Sequence, residues 1–96
     1  MIGLKEIETI LKENRNHFFN GYPITEMAIF GSVARNEATE ESDIDIMVEF
    51  SAPIGFEIVD LVEELEDLLQ HKVDLVSKKA IRPRLLQYIS KDLIYV

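Results

Sequence analysis

The stretch that decides the reading runs from residue 31 to residue 50, GSVARNEATEESDIDIMVEF. Its second half alternates. From Asp43 to Phe50, Ile44, Ile46, Val48 and Phe50 fall on one face, while Asp43, Asp45, Met47 and Glu49 fall on the other. That period of two is the pattern of a half-buried strand. Residues two apart on a strand project together, so Asp43 and Asp45 carry two carboxylates on one face. Ionised carboxylates held that close repel each other, and a divalent cation between them removes the repulsion. A solvated strand edge bearing a harmless Asp-x-Asp is the plainer alternative, although strands are depleted in Asp.

The first half of the stretch reads differently. Ile24 to Phe30 is a short, mostly apolar run, expected as a buried strand, and it stops at Gly31-Ser32. Glycine there permits a tight turn and close backbone approach, and Ser32 opens a short helix, expected over about residues 32–37. A glycine, a hydroxyl and the free amides of a helix start together suit a phosphate oxygen. An ordinary serine N-cap after a turn glycine uses the same residues. Arg35, one turn on, is placed either to meet the same anion or to lie solvated at the surface. Ten residues separate Ser32 from Asp43, giving G-S-x10-D-x-D. At average residue frequencies, that pattern arises by chance in a chain of this length on the order of once in a thousand.

Outward from this stretch the chain alternates helix and strand. Gly3 to Phe19 carries Ile7, Ile10, Leu11, Asn14 and Phe18 at helical spacing and reads as one amphipathic helix, ended near Asn20-Gly21 and Pro23. Phe56 to Gln70 stacks Ile58, Leu61, Val62, Leu65, Leu68 and Leu69 on one stripe, a second amphipathic helix. Val73 to Val76 is a short strand, with Asp74 between Val73 and Leu75 repeating the layout of the Asp43 strand. Pro83 suits the first turn of a last helix bearing Leu85, Leu86 and Ile89, and Leu93 to Val96 is extended. The order predicts an α/β (α+β) fold, a mixed sheet with helices packed on it, in a single domain over residues 1–96.

Composition narrows the options. The chain has 96 residues, 47% apolar and 29% charged, which is the balance of a globular protein. Without cysteine there are no disulfides or thiolate metal sites. No apolar run approaches the ~18 residues a membrane helix needs, and no signal-peptide pattern follows Met1. Eighteen acidic against ten basic residues leave a net charge of -8, which repels a nucleic-acid backbone. General or sequence-specific nucleic-acid binding is therefore not expected. Four of the ten basic residues, Lys78, Lys79, Arg82 and Arg84, gather just after Asp74, where they suit either an anionic partner or solvent. His17 and His71 lack ligand spacing and are expected at the surface or at a helix end. Six acids of the third helix (Glu57, Asp60, Glu63, Glu64, Glu66 and Asp67) form a solvated face or a docking surface for a basic partner.

The motif G-S-x-A-R, a loop, then S-D-I-D and an apolar strand resembles the signature of the DNA polymerase beta-like nucleotidyltransferase superfamily. Within it, the match is to the minimal nucleotidyltransferase (MNT) domains, whose length covers essentially this whole chain. The resemblance implies that Asp43, Asp45 and a third carboxylate, best matched by Asp74, bind two Mg²⁺ ions. It also implies that Gly31 and Ser32, assisted by Arg35, hold the phosphates of ATP. Asn36 stands where glycine is common, and asparagine tolerates the same left-handed backbone. Free-standing domains of this kind resemble the antitoxin half of HEPN–MNT toxin–antitoxin pairs. The implied activity is cytoplasmic transfer of AMP from ATP to a tyrosine hydroxyl of the cognate HEPN ribonuclease toxin. Two other readings stay open: an antitoxin that neutralises by contact alone, and nucleotidyl transfer to a small molecule. Homo-oligomer and hetero-oligomer with the toxin are both compatible with the sequence.

Overall fold

Three alternating apolar runs form the sheet around which the rest is arranged. In the computed structural model, which describes residues 3–96, these are β1 (Ile24–Phe30), β2 (Ile44–Phe50) and β3 (Val73–Ser77). A two-residue β4 (Ile94–Tyr95) completes a four-stranded mixed sheet of order β3-β2-β1-β4. β1 runs antiparallel to β2 and to β4, while β2 and β3 are parallel. The helices are α1 (Leu4–Glu13), α2 (Arg15–Gly21), α3 (Gly31–Ala34), α4 (Glu57–Leu69) and α5 (Pro83–Ile89), with one 3₁₀ turn at Lys78–Ala80.

One face of the sheet is closed. Ile24, Met27 and Ile29 of β1 and Ile44, Ile46 and Val48 of β2 share a core with Ile7 and Leu11 of α1, Phe18 of α2, and Leu61, Leu65 and Leu69 of α4. Each fully buried aliphatic or aromatic side chain there contributes roughly 1.5–3 kcal/mol of hydrophobic stabilisation. The spacing of Leu61, Leu65 and Leu69 is one turn apiece, so α4 presents a single stripe to the sheet. It ends at Gln70, whose φ of 52° is the left-handed conformation that stops a helix.

The other face follows from connectivity. β4 is parallel to β3 but lies at the opposite edge, so the 3₁₀ turn and α5 cross the sheet to join them. Parallel crossovers are right-handed, and β2–α4–β3 and β3–α5–β4 travel in opposite directions across the sheet. Hence α5 covers the face that α4 does not. Burial agrees: Ala28, Met47 and Ile89 are buried yet stand apart from the main core, with Ala28 and Met47 paired across β1 and β2.

Three expectations are corrected. The single helix over residues 3–19 is two helices, α1 and α2, broken at Asn14 (φ −105°, ψ 9°). The Asn14 side-chain amide donates to the Ile10 carbonyl at 2.8 Å, an asparagine competing with the backbone ladder for its acceptors. The short helix after β1 spans Gly31–Ala34 instead of residues 32–37, because Asn36 takes a left-handed φ of 61° and turns the chain. Strand β2 begins at Ile44, so Asp43 sits immediately before it. The predicted α-β-α-β-α-β-α order is otherwise observed, with β4 as the extended terminal piece.

Candidate active site

Strand register brings the predicted carboxylates together. Asp45 lies opposite Asp74 in the parallel β2–β3 pair and opposite Phe30 in the antiparallel β1–β2 pair. The parallel register sets the Asp45 and Asp74 carboxyl groups side by side, close enough for the Asp74 charge to act on Asp45. Burial pushes the Asp45 carboxyl up to about 6, helped by the negative charges of Asp74 and then Asp43 and partly opposed by Arg35. All four side chains therefore act on one small volume. Asp43 and Asp74 are exposed and Asp45 is half-buried, so the group opens to solvent at the N-terminal ends of β2 and β3.

Gly31 closes this volume from below. Its φ is +72°, a backbone state L-residues avoid, and a Cβ built there would collide with the Asp45 Oδ2 and stand 3.1 Å from Asp45 Cγ. The glycine is thus required twice, by the turn and by the carboxylate packed against it. Ser32 follows within the first turn of α3 and is half-buried.

Arg35 takes the surface position of its two expected placements. Its Nε donates to Glu37 Oε1 and its Nη1 to Asp92 Oδ2, both at 2.9 Å, so its fork is engaged at the surface. These two carboxylates raise its pKa, the hydrogen bond to Glu37 most. The Asp92 contact links α3 to the segment just after α5, and no sequence spacing foretells it.

His71, expected at the surface or at a helix end, sits just past the end of α4, and the structure gives it a further part. Its Nε2 bonds the Ser42 carbonyl, one residue before Asp43, and it is partly buried. The same loop is tied internally, Ser42 Oγ accepting from the Thr39 amide at 3.0 Å. The Ile44 amide donates to the Lys72 carbonyl at 2.9 Å, so both sides of Asp43 are pinned to the start of β3. His71 follows directly on the end of α4, and that adjacency was the only available sign. His17 by contrast is exposed and bonds Glu64 at 2.8 Å.

The basic residues after β3 divide. Lys78 lies over the sheet, 3.1 Å from Glu26 Oε2 and 3.9 Å from Glu49 Oε2. Lys79, Arg82 and Arg84 are exposed. None of the four is tied to the carboxylate group by any ion pair among the described residues.

The donor set itself is all oxygen, crowded with like charge and short of a cation, which fits a hard divalent ion such as Mg²⁺. Among the described residues no three His, Cys, Asp or Glu side chains already stand in a finished metal-ligand cluster.

Comparison with known proteins identifies the family. The model of the nucleotidyltransferase domain family matches residues 4–96. The chain belongs to that family. A Methanocaldococcus jannaschii protein, provisionally named a protein adenylyltransferase, is 47% identical over 97 residues, covering 97% of each chain. The protein adenylyltransferase MntA of Thermococcus cleftensis is 36% identical, covering 100% of this nucleotidyltransferase and 98% of the relative. A solved structure described as a minimal nucleotidyltransferase superposes with a TM-score of 0.76 at 32% identity, covering 97% of this chain and 95% of that one. The fold of this nucleotidyltransferase, a mixed sheet flanked by helices, is therefore that of the minimal nucleotidyltransferases.

Proposed function

We propose that this nucleotidyltransferase is an antitoxin that moves AMP from ATP onto a tyrosine hydroxyl of a cognate HEPN ribonuclease toxin and so silences it. The observation that carries the chemistry is the Asp45–Asp74 register with Asp43 alongside and Gly31 packed beneath. The choice of acceptor is supported by relatives. The Thermococcus cleftensis relative is named a protein adenylyltransferase. A solved complex sharing the fold at a TM-score of 0.68 is described as a tri-AMPylated Shewanella oneidensis HEPN toxin with its MNT antitoxin.

Each residue then has a part. Asp43, Asp45 and Asp74 would hold two Mg²⁺ ions. When bound, those ions would neutralise phosphate charge and make the acceptor hydroxyl more acidic. The backbone at Gly31, free of a Cβ, lets the triphosphate approach closely, and Ser32 offers its hydroxyl and amide to the β- and γ-phosphates. Arg35 can add charge there only by leaving Glu37 or Asp92. The acceptor oxygen bonds to the α-phosphorus as the bond to the α–β bridging oxygen breaks. Pyrophosphate leaves with that electron pair, and the hydroxyl proton passes to solvent at the open side of Asp74. His71 keeps Asp43 in register by holding the Ser42 carbonyl.

The test is direct. Purified chain, α-labelled ATP, Mg²⁺ and the product of the neighbouring gene are expected to give label on that product, mapped to tyrosine. Asp43→Ala with Asp45→Ala is expected to remove both labelling and neutralisation. Full neutralisation by the double variant would establish contact-only inhibition instead. Label on a small metabolite and never on protein would establish small-molecule transfer.

A further inference from the structure

Two exposed apolar features lie at the end of the sheet away from the carboxylates. β2 and β3 are parallel neighbours, and the segments that follow their C-terminal ends both emerge at that end. After β2 the chain passes through residues 51–55 to Phe56, at the start of α4, whose ring is 93% exposed. Val59, one turn on, is 51% exposed, and Asp60 and Glu63 fall on the same helical face. After β3 the chain passes through the 3₁₀ turn to α5. There Arg82, Arg84, Leu85 and Tyr88 line a hollow of about 380 Å³. Leu85 is 53% and Tyr88 67% exposed.

These features complement each other. The first is an aromatic knob beside two carboxylates; the second is an apolar hollow rimmed by two arginines. Neither Arg82 nor Arg84 has an ion-pair partner among the described residues, and neither do Asp60 and Glu63. Within one chain the knob cannot reach the hollow, because α4 and α5 lie on opposite faces of the sheet.

We propose that the occupant is a second copy of this chain. A two-fold contact places each Phe56 in the other copy's Leu85–Tyr88 hollow, with Asp60 and Glu63 facing Arg82 and Arg84. The contact is isologous, so both pairings form at once and the assembly closes at two copies. The net charge on each copy opposes association, but charges farther apart than about 8 Å are largely screened at physiological salt, leaving the local match to decide. The carboxylates lie at the N-terminal ends of the same strands, so the dimer leaves them open. The inference stands without any assumption about the acceptor, since its readout is assembly state alone.

Sedimentation equilibrium of the chain without nucleotide, from about 1 to about 300 μM, tests it. The wild type is expected to pass from monomer to dimer and to stop there. Phe56→Ser is expected to weaken dimerisation at least about tenfold, as loss of a central aromatic anchor does. Asp60→Arg with Glu63→Arg, and separately Arg82→Glu with Arg84→Glu, are expected to weaken it similarly, whereas the chain carrying all four changes recovers it. All of these positions are exposed, and unchanged circular dichroism checks that the variants fold. A wild type that stays monomeric throughout overturns the proposal, as does a Phe56→Ser chain that dimerises like the wild type. Monomeric wild type with loss of acceptor-protein binding in Phe56→Ser would assign the patch to that partner instead.

Discussion

The two faces of the sheet are built to opposite rules. Against α1, α2 and α4 the strands present Ile29, Ile44, Ile46 and Val48, all fully buried and without a single polar side chain among the buried residues described. On the other face only the centre, at Ala28 and Met47, is covered. Beyond that cover, one end of the face carries Asp43, Asp45 and Asp74, and the other carries Glu26, Glu49 and Lys78. The closed face pays for the fold. The partly open face gives up stability, because it holds like-charged carboxylates close together around the half-buried Asp45. Lys78 shows what relief looks like: Glu26 and Glu49 on neighbouring strands share a cation that the chain itself supplies. Asp45 and Asp74 are given none, apart from the distant pull of Arg35. A surface left unneutralised in this way is suited to a ligand that brings its own cations.

Substitutions on the two faces should separate stability from chemistry. The largest expected effect is on the closed face. Leu65→Ala, a fully buried side chain, is expected to cost about 2–5 kcal/mol and lower the unfolding midpoint by roughly 10–30 °C. Calorimetry checks it, and transfer measured well below the new midpoint should persist. Next comes Gly31→Ala, where the added methyl meets Asp45 at a left-handed φ. It is expected to cost about 1–3 kcal/mol and, unlike Leu65→Ala, to remove transfer at any temperature. Transfer retained at more than a tenth of wild type in Gly31→Ala would break the comparison.

Smaller effects follow at the rim. Arg35→Ala frees the exposed Glu37 and the half-buried Asp92 from an arginine that is itself exposed, so the unfolding midpoint should move little. Its effect should be on the KM for ATP, raised several-fold with kcat less changed, if the arginine turns from Asp92 to the phosphates. A pH series sharpens the same contrast. In metal-free buffer the folded Asp45 carboxyl titrates at about 6 against 3.8 when unfolded, so the folded chain binds more protons between these values. Stability from this group is therefore highest below pH 3.8 and falls as pH rises through 6, and chemical denaturation at pH 5 and pH 7.5 should show that loss.

Much of this division is legible in the sequence, for a physical reason. Period two sorts Ile44, Ile46 and Val48 from Asp43 and Asp45, and a strand has no other way to place them. The same logic places Asp74 between Val73 and Leu75, and the parallel register then sets it beside Asp45. What the sequence hides are contacts between distant segments. Met47 reads as an outward residue, but it is buried, on the face that the crossover from β3 to β4 traverses. Arg35 meets Asp92, 57 residues away, and His71 meets Ser42, 29 residues away; neither spacing has a period to read. The break at Asn14 turns on one side-chain amide finding a carbonyl, which amphipathic patterning does not register.

The most direct test of the account is Asp45→Asn, measured twice. The change removes a half-buried charge from between Asp43 and Asp74 and keeps the shape. In metal-free buffer at pH 7.5 it is expected to raise the stability of the chain by on the order of 1–2 kcal/mol, the full shift being discounted for screening at the open rim. With Mg²⁺, ATP and the acceptor protein it is expected to lower transfer at least about a thousandfold. A variant that is less stable than wild type, or one that still transfers AMP at a comparable rate, would contradict the claim that this face gives up stability to hold the reaction.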